Sequence, residues 1–125
     1  MKVPVEVYEL LGVDPEPKDN PWPGSTKSFY DIPYENIKKV AEILGEEFLE
    51  DAQNYSPKVK EFLDDLASYQ HCTYFDGYIV SPRRDDERVS IEGVTTARSD
   101  ENILRYRHAD DFEFVDDGLL HVWWD

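Results

Sequence analysis

Apolar residues recur at helical spacing through the first half of the chain and at strand spacing through the second. Between Pro4 and Val13, the positions of Val7, Leu10 and Leu11 share one helical face, with Pro4 suited to open a turn and Gly12 to close it, so a short helix is predicted. The next stretch, Asp14 to Pro23, holds four prolines, each fixing φ and removing a backbone donor. It is read as an extended loop strapped to the body by Trp22. Asp31 and Pro33 then resemble a helix start. Ile37, Val40, Ala41, Leu44 and Phe48 would follow on one face, with Gly45 weakening the middle. Ser56 and Pro57 suit an N-cap and first helical position, and Val59, Phe62, Leu63 and Leu66 carry the core spacing on to about Tyr69. Two helices joined by so short a loop are expected to run antiparallel.

Beyond His71 the residues become β-branched and aromatic: Thr73, Tyr74, Phe75, Tyr78, Ile79 and Val80 precede the polar turn Ser81 to Glu87. Val89 and Ile91 alternate with Ser90 and Glu92, which predicts a long hairpin. Ser99 can cap a short helix from Asp100 to about His108, with Ile103, Tyr106 and Arg107 as inner contacts. Phe112 and Phe114 then alternate on one side of Asp116-Asp117-Gly118, and Val122 and Trp124 on the other, the strongest hairpin signal in the chain. Helices first and hairpins afterwards is the pattern of an α+β fold, with N-terminal helices packed on one face of a mostly antiparallel sheet formed by the C-terminal half. The expected organisation is a single domain over 1–125, mainly helical over 1–70 apart from the Pro-rich loop 14–24, and mainly strands over 71–125 apart from a helix near 100–108.

Composition supports a folded body: 125 residues with 40% apolar and 14% aromatic content can fill one core, despite 28 acidic residues and a net charge of −15. All seven lysines lie in residues 1–70 and all six arginines in 71–125, while acid is spread over both parts, 15 and 13 residues. With no block of basic residues, direct binding to nucleic acid is not expected, nor is binding to anionic membranes. No apolar run reaches the length of a membrane span, and Met1 to Glu6 lacks the apolar stretch of a secretory signal. A cytoplasmic location is the expectation. Cys72 alone permits no internal disulfide.

Motifs of catalysis fail one by one. Gly24-Ser25-Thr26-Lys27-Ser28 lacks the glycine before its Lys-Ser pair and the leading strand that a phosphate loop needs. His71 and Cys72 are neighbours, and neighbours on a strand point to opposite faces, so a shared metal ion or a Cys/His nucleophilic pair is not expected. The paired carboxylates are too many to be informative, and no calcium-loop spacing occurs. No catalytic residue, metal site or cofactor is assigned.

The surplus charge points instead to a basic protein partner, drawn in by electrostatic steering, as immunity proteins, inhibitors and nucleic-acid mimics are. That resemblance is one of size and composition only. The leading expectation is a non-catalytic binding module whose acidic helical surface, centred on Glu46, Glu47, Glu50, Asp51, Asp64 and Asp65, meets the partner. Trp123 and Trp124 are added as candidate contact rings, since on a strand one of two adjacent rings must point away from the core. A competing expectation is a small-molecule or metal-dependent enzyme with a pocket at the sheet, lined by Tyr74, Tyr78, Trp123, Arg83 and Arg84. A third is an accessory subunit that forms a homodimer through its terminal Trp-rich strand.

Overall fold

The computed structural model describes residues 2–125 and confirms an α+β architecture with strands mostly in the C-terminal half. Helices α1 (Val5–Leu11), α2 (Tyr34–Leu44), α3 (Glu46–Leu49), α4 (Val59–Asp65) and α5 (Asp100–Tyr106) accompany strands β1 (Thr26–Pro33), β2 (Tyr74–Val80), β3 (Val89–Ala97), β4 (Asp111–Val115) and β5 (Leu119–Trp123). The strands form one antiparallel sheet in the order β1-β2-β3-β5-β4. No described helix is long and apolar enough to cross a membrane.

Several local expectations hold for identifiable reasons. Gly12 ends α1 in the left-handed conformation at φ 66°. Ser99 caps α5 by accepting the Asn102 N–H at 3.1 Å. Asp117 and Gly118 both take positive φ, 64° and 71°, to turn β4 into β5. Trp22 is buried against Tyr8, with ring centroids 6.5 Å apart, and so straps the Pro-rich loop down.

Other expectations are corrected. The sheet is not confined to the C-terminal half, because Thr26–Pro33 forms its edge strand and buries Phe29 and Ile32. Asp31 therefore starts no helix: it lies inside the strand at φ 53°, and α2 begins after Pro33. Gly45 does not merely weaken a continuous helix. At φ 74° and ψ −150°, a conformation open essentially to glycine alone, it breaks the segment into α2 and α3 and turns Phe48 fully inward. Ser56 is no N-cap, since its hydroxyl closes a loop by accepting from the Gln53 N–H at 2.9 Å and donating to the Pro57 carbonyl at 3.0 Å. The free N–H of Lys58 at the true start of α4 is taken by Glu61 at 2.9 Å. Arg107 is exposed rather than an inner contact of α5. The terminal strand β5 lies inside the sheet between β3 and β4, so a homodimer cannot form by pairing along it.

The helices cover one face of the sheet. Ile32, Phe75, Val94, Val122 and Phe112 sit side by side across all five strands, and Phe62 of α4 meets that row. Its ring lies 5.8 Å from Phe75, 5.9 Å from Tyr106 and 5.6 Å from Trp124, joining α4, α5, β2 and the chain's end in one aromatic cluster. Truncation there leaves a cavity that the three remaining rigid rings cannot collapse. Phe62→Ala is expected to lower unfolding stability by about 3–5 kcal/mol, read from the urea midpoint with unchanged slope.

Candidate functional site

Alternation along the strands puts the opposite set of side chains, Tyr74, Asp76, Thr95, His121, Trp123, Asp111 and Glu113, on the face that the helices leave open. Asp76 occupies a special place there. On one side two residues of β1, Tyr30 and Asp31, oppose it, and on the other Glu92 of β3 is left unpaired between Ile91 and Gly93. Bulges on both neighbouring strands thus meet at a single aspartate.

Asp76 is only 6% exposed, yet both its carboxylate oxygens have partners. Oδ1 accepts the Asp31 N–H at 2.8 Å, a donor turned inward by the left-handed backbone of the β1 bulge. Oδ2 lies 3.1 Å from Nε2 of His121, and the other ring nitrogen, Nδ1, lies 3.8 Å from Glu113 Oε1. The hydrogen bond to Asp76 raises the His121 pKa above its ordinary value, against the opposing effect of burial and with help from the charges of Asp76, Glu113 and Asp31. Asp76 thus fixes the imidazole through Nε2, while Nδ1 is within ion-pair range of the exposed Glu113 but makes no hydrogen bond to it.

Trp123 completes the face. A Cβ on Gly93 would lie 2.6 Å from its ring, so only glycine lets the indole settle flat on β3. Its Nε1–H donates to Asp125 at 2.9 Å, and Asp110 accepts the Asp125 N–H at 2.8 Å. A cleft of about 390 Å³ opens between Asp111, Phe112, Glu113, His121 and Trp123. Nearby, the Glu92 pKa is raised by partial burial and then by the charges of Asp125 and Asp76. Acidic groups therefore crowd this surface: among the side chains of β3, β4 and β5 His121 is the only basic one, and Arg84 and Arg88 share a cleft with Glu92.

Comparison with protein families, characterised proteins and solved structures finds no match to this chain. Function must be read from the surface itself.

The helical acidic surface expected from the sequence is partly paired within the fold. Glu50 pairs with Lys58 at 2.7 Å and with Lys60, and these hydrogen bonds hold its pKa at about 2. Asp51 is half-buried, its Oδ2 lacks a hydrogen-bond partner, and burial raises its pKa. Asp65 lies 3.7 Å from Arg105. Glu46, Glu47 and Asp64 remain exposed. Trp124 is 1% exposed, a core ring, whereas Trp123 is the ring turned outward.

Nor do Tyr74, Tyr78, Arg83, Arg84 and Trp123 line one pocket. Tyr78 and Arg84 share a separate cleft of about 340 Å³ with Arg88 and Glu92. Arg84 and Arg88 both bind Asp86 at 2.7 Å, and Tyr78 donates to Gln53 at 2.8 Å. Arg83 grips Glu16 through two hydrogen bonds of 3.0 Å. Glu16 also accepts from Ser81 at 2.5 Å and from the Trp22 N–H at 2.7 Å, so one carboxylate clamps the Pro-rich loop to the β2–β3 turn. Its pKa falls to about 2, first through Arg83 and then Ser81. Cys72 donates to the Tyr69 carbonyl at 3.4 Å, and His71 is exposed.

A pKa raised in the folded state means that protonated His121 stabilises the fold fully below its unfolded value of about 6.5, and that this contribution fades as pH rises through the folded value. His121→Gln is accordingly expected to cost about 1 kcal/mol at pH 5.5, and the gap to the parent protein should close by pH 9 in paired urea titrations. A gap independent of pH would refute the ion pair.

Proposed function

We propose that this protein is a non-catalytic binding module, and that a basic protein partner in the cytoplasm docks on the open face of its sheet. The observation that carries the reading is the collection of Asp76, Asp111, Glu113 and Asp125 around Trp123, where the one basic side chain is His121, paired with Asp76. A negative field of this kind speeds encounter with a cationic surface and penalises acidic competitors. The half-exposed indole supplies apolar area and a ring face on which a lysine or arginine can rest. On the helical side Lys58 and Lys60 pair with Glu50 and Arg105 lies near Asp65, whereas on this face Asp111 and Glu113 are exposed and form no ion pair with a lysine or arginine among the described residues.

Two carboxylates, Asp111 and Glu113, are exposed and carry no part of the core, so they can be neutralised without unfolding the protein. Titration with a Lys- and Arg-rich synthetic peptide by calorimetry is expected to show affinity falling about tenfold or more between roughly 20 and 200 mM salt. The double substitution Asp111→Asn with Glu113→Gln should weaken binding about tenfold, while Glu46→Gln with Asp64→Asn should change it less than about twofold. The reverse ranking would return the interface to the helical surface.

A further inference from the structure

The sheet has two edges, and they are not alike. β1 is blunted: its pairing breaks at Tyr30 and Asp31, Asp31 sits at φ 53°, and Pro33 has no N–H to offer. β4 has none of these defences. Its register with β5 runs without a break from Asp111 opposite Trp123 to Val115 opposite Leu119. Among the described residues, no turn, loop or cap hydrogen bond involves the backbone of Asp111–Val115. In an antiparallel pair every second residue turns its N–H and C=O away from its neighbour, so the outer side of β4 presents a row of unused donors and acceptors.

The side chains of β4 alternate in character as well. Asp111 and Glu113 point to the open face, while Phe112 and Phe114 point to the other, their rings 5.7 Å apart. Phe114 is 51% exposed and already carries the Arg98 guanidinium 4.2 Å above its ring. A strand laid beside β4 would bring its own side chains within about 4.5–5.5 Å of these, measured between Cβ atoms. The complement of acid, aromatic, acid, aromatic is base, apolar, base, apolar. A second copy of this chain is a poor occupant, because it would set acid against acid on molecules of net charge −15.

We propose that β4 takes up a sixth strand from the basic partner: an extended segment in which Lys or Arg alternates with apolar residues, the cations facing Asp111 and Glu113 and the apolar residues facing Phe112 and Phe114. This deepens the docking reading above and rests on it. Backbone hydrogen bonds supply the attachment, and the alternation of side chains supplies the specificity.

The test uses the full chain and eight-residue synthetic peptides: alternating Lys-Val, a block peptide of four Lys then four Val, and two alternating peptides N-methylated on one or the other set of alternate backbone nitrogens. The alternating peptide is expected to bind at least about tenfold tighter than the block peptide and to slow exchange of the outward β4 amides by a similar factor. Methylation of one set should abolish this gain and methylation of the other should spare it. Equal binding of all four peptides, or unaltered exchange in β4, would overturn strand addition while leaving electrostatic docking in place. Failure of every peptide to bind at low salt would overturn both.

Discussion

One-sided burial governs this molecule. Five antiparallel strands sort their side chains by alternation, and the row Ile32, Phe75, Val94, Val122 and Phe112 is drawn to the face where Phe62 waits. The alternate set occupies the other face, where Asp76, Asp111 and Glu113 stand among Tyr74, Thr95, His121 and Trp123. The bulges in β1 and β3 keep the alternation in step: after each insertion, Phe29 and Ile91 return to the buried side with Ile32 and Val94. Without them, half of each strand would turn its apolar residues to water. The cost of that correction falls on Asp76, which both bulges enclose, and the Asp31 N–H and His121 compensate its burial.

The charge of the chain divides into two populations. Some carboxylates are structural fasteners. Glu16 joins the Pro-rich loop to the β2–β3 turn, Glu50 gathers two lysines, and Asp86 gathers two arginines. The surface pairs among them are expected to stabilise little individually, because solvent screens them. Their effect on function is larger, since each removes an acid from the field that a partner meets. On the open face Asp111 and Glu113 form no ion pair with a lysine or arginine among the described residues.

Much of the fold was legible from local pattern. Gly12, Ser99 and Asp117-Gly118 act through their own backbone conformations and nearest neighbours, so residue type and order suffice to find them. β1 was missed because the left-handed Asp31 interrupts its alternation, and Asp before Pro reads as a helix start. Phe29, Tyr30 and Ile32, aromatic and β-branched, were the available signal. The pairing of Glu50 was not legible for a different reason. Lys58 and Lys60 lie eight and ten residues from Glu50, and no helical periodicity brings them together; the turn between α3 and α4 does.

The sequence by itself determined the class of fold, the position of most elements, the acidity, and that one of two adjacent tryptophans must face outward. These rest on interactions within a few residues or on totals that folding leaves unchanged. Only the tertiary structure decided which tryptophan that is, that the terminal strand is interior, that Asp76 and His121 meet, and that β4 is the unguarded edge. Each of those depends on strand order and register, which arise from contacts between segments far apart in the chain, where a shift of one residue exchanges the two faces.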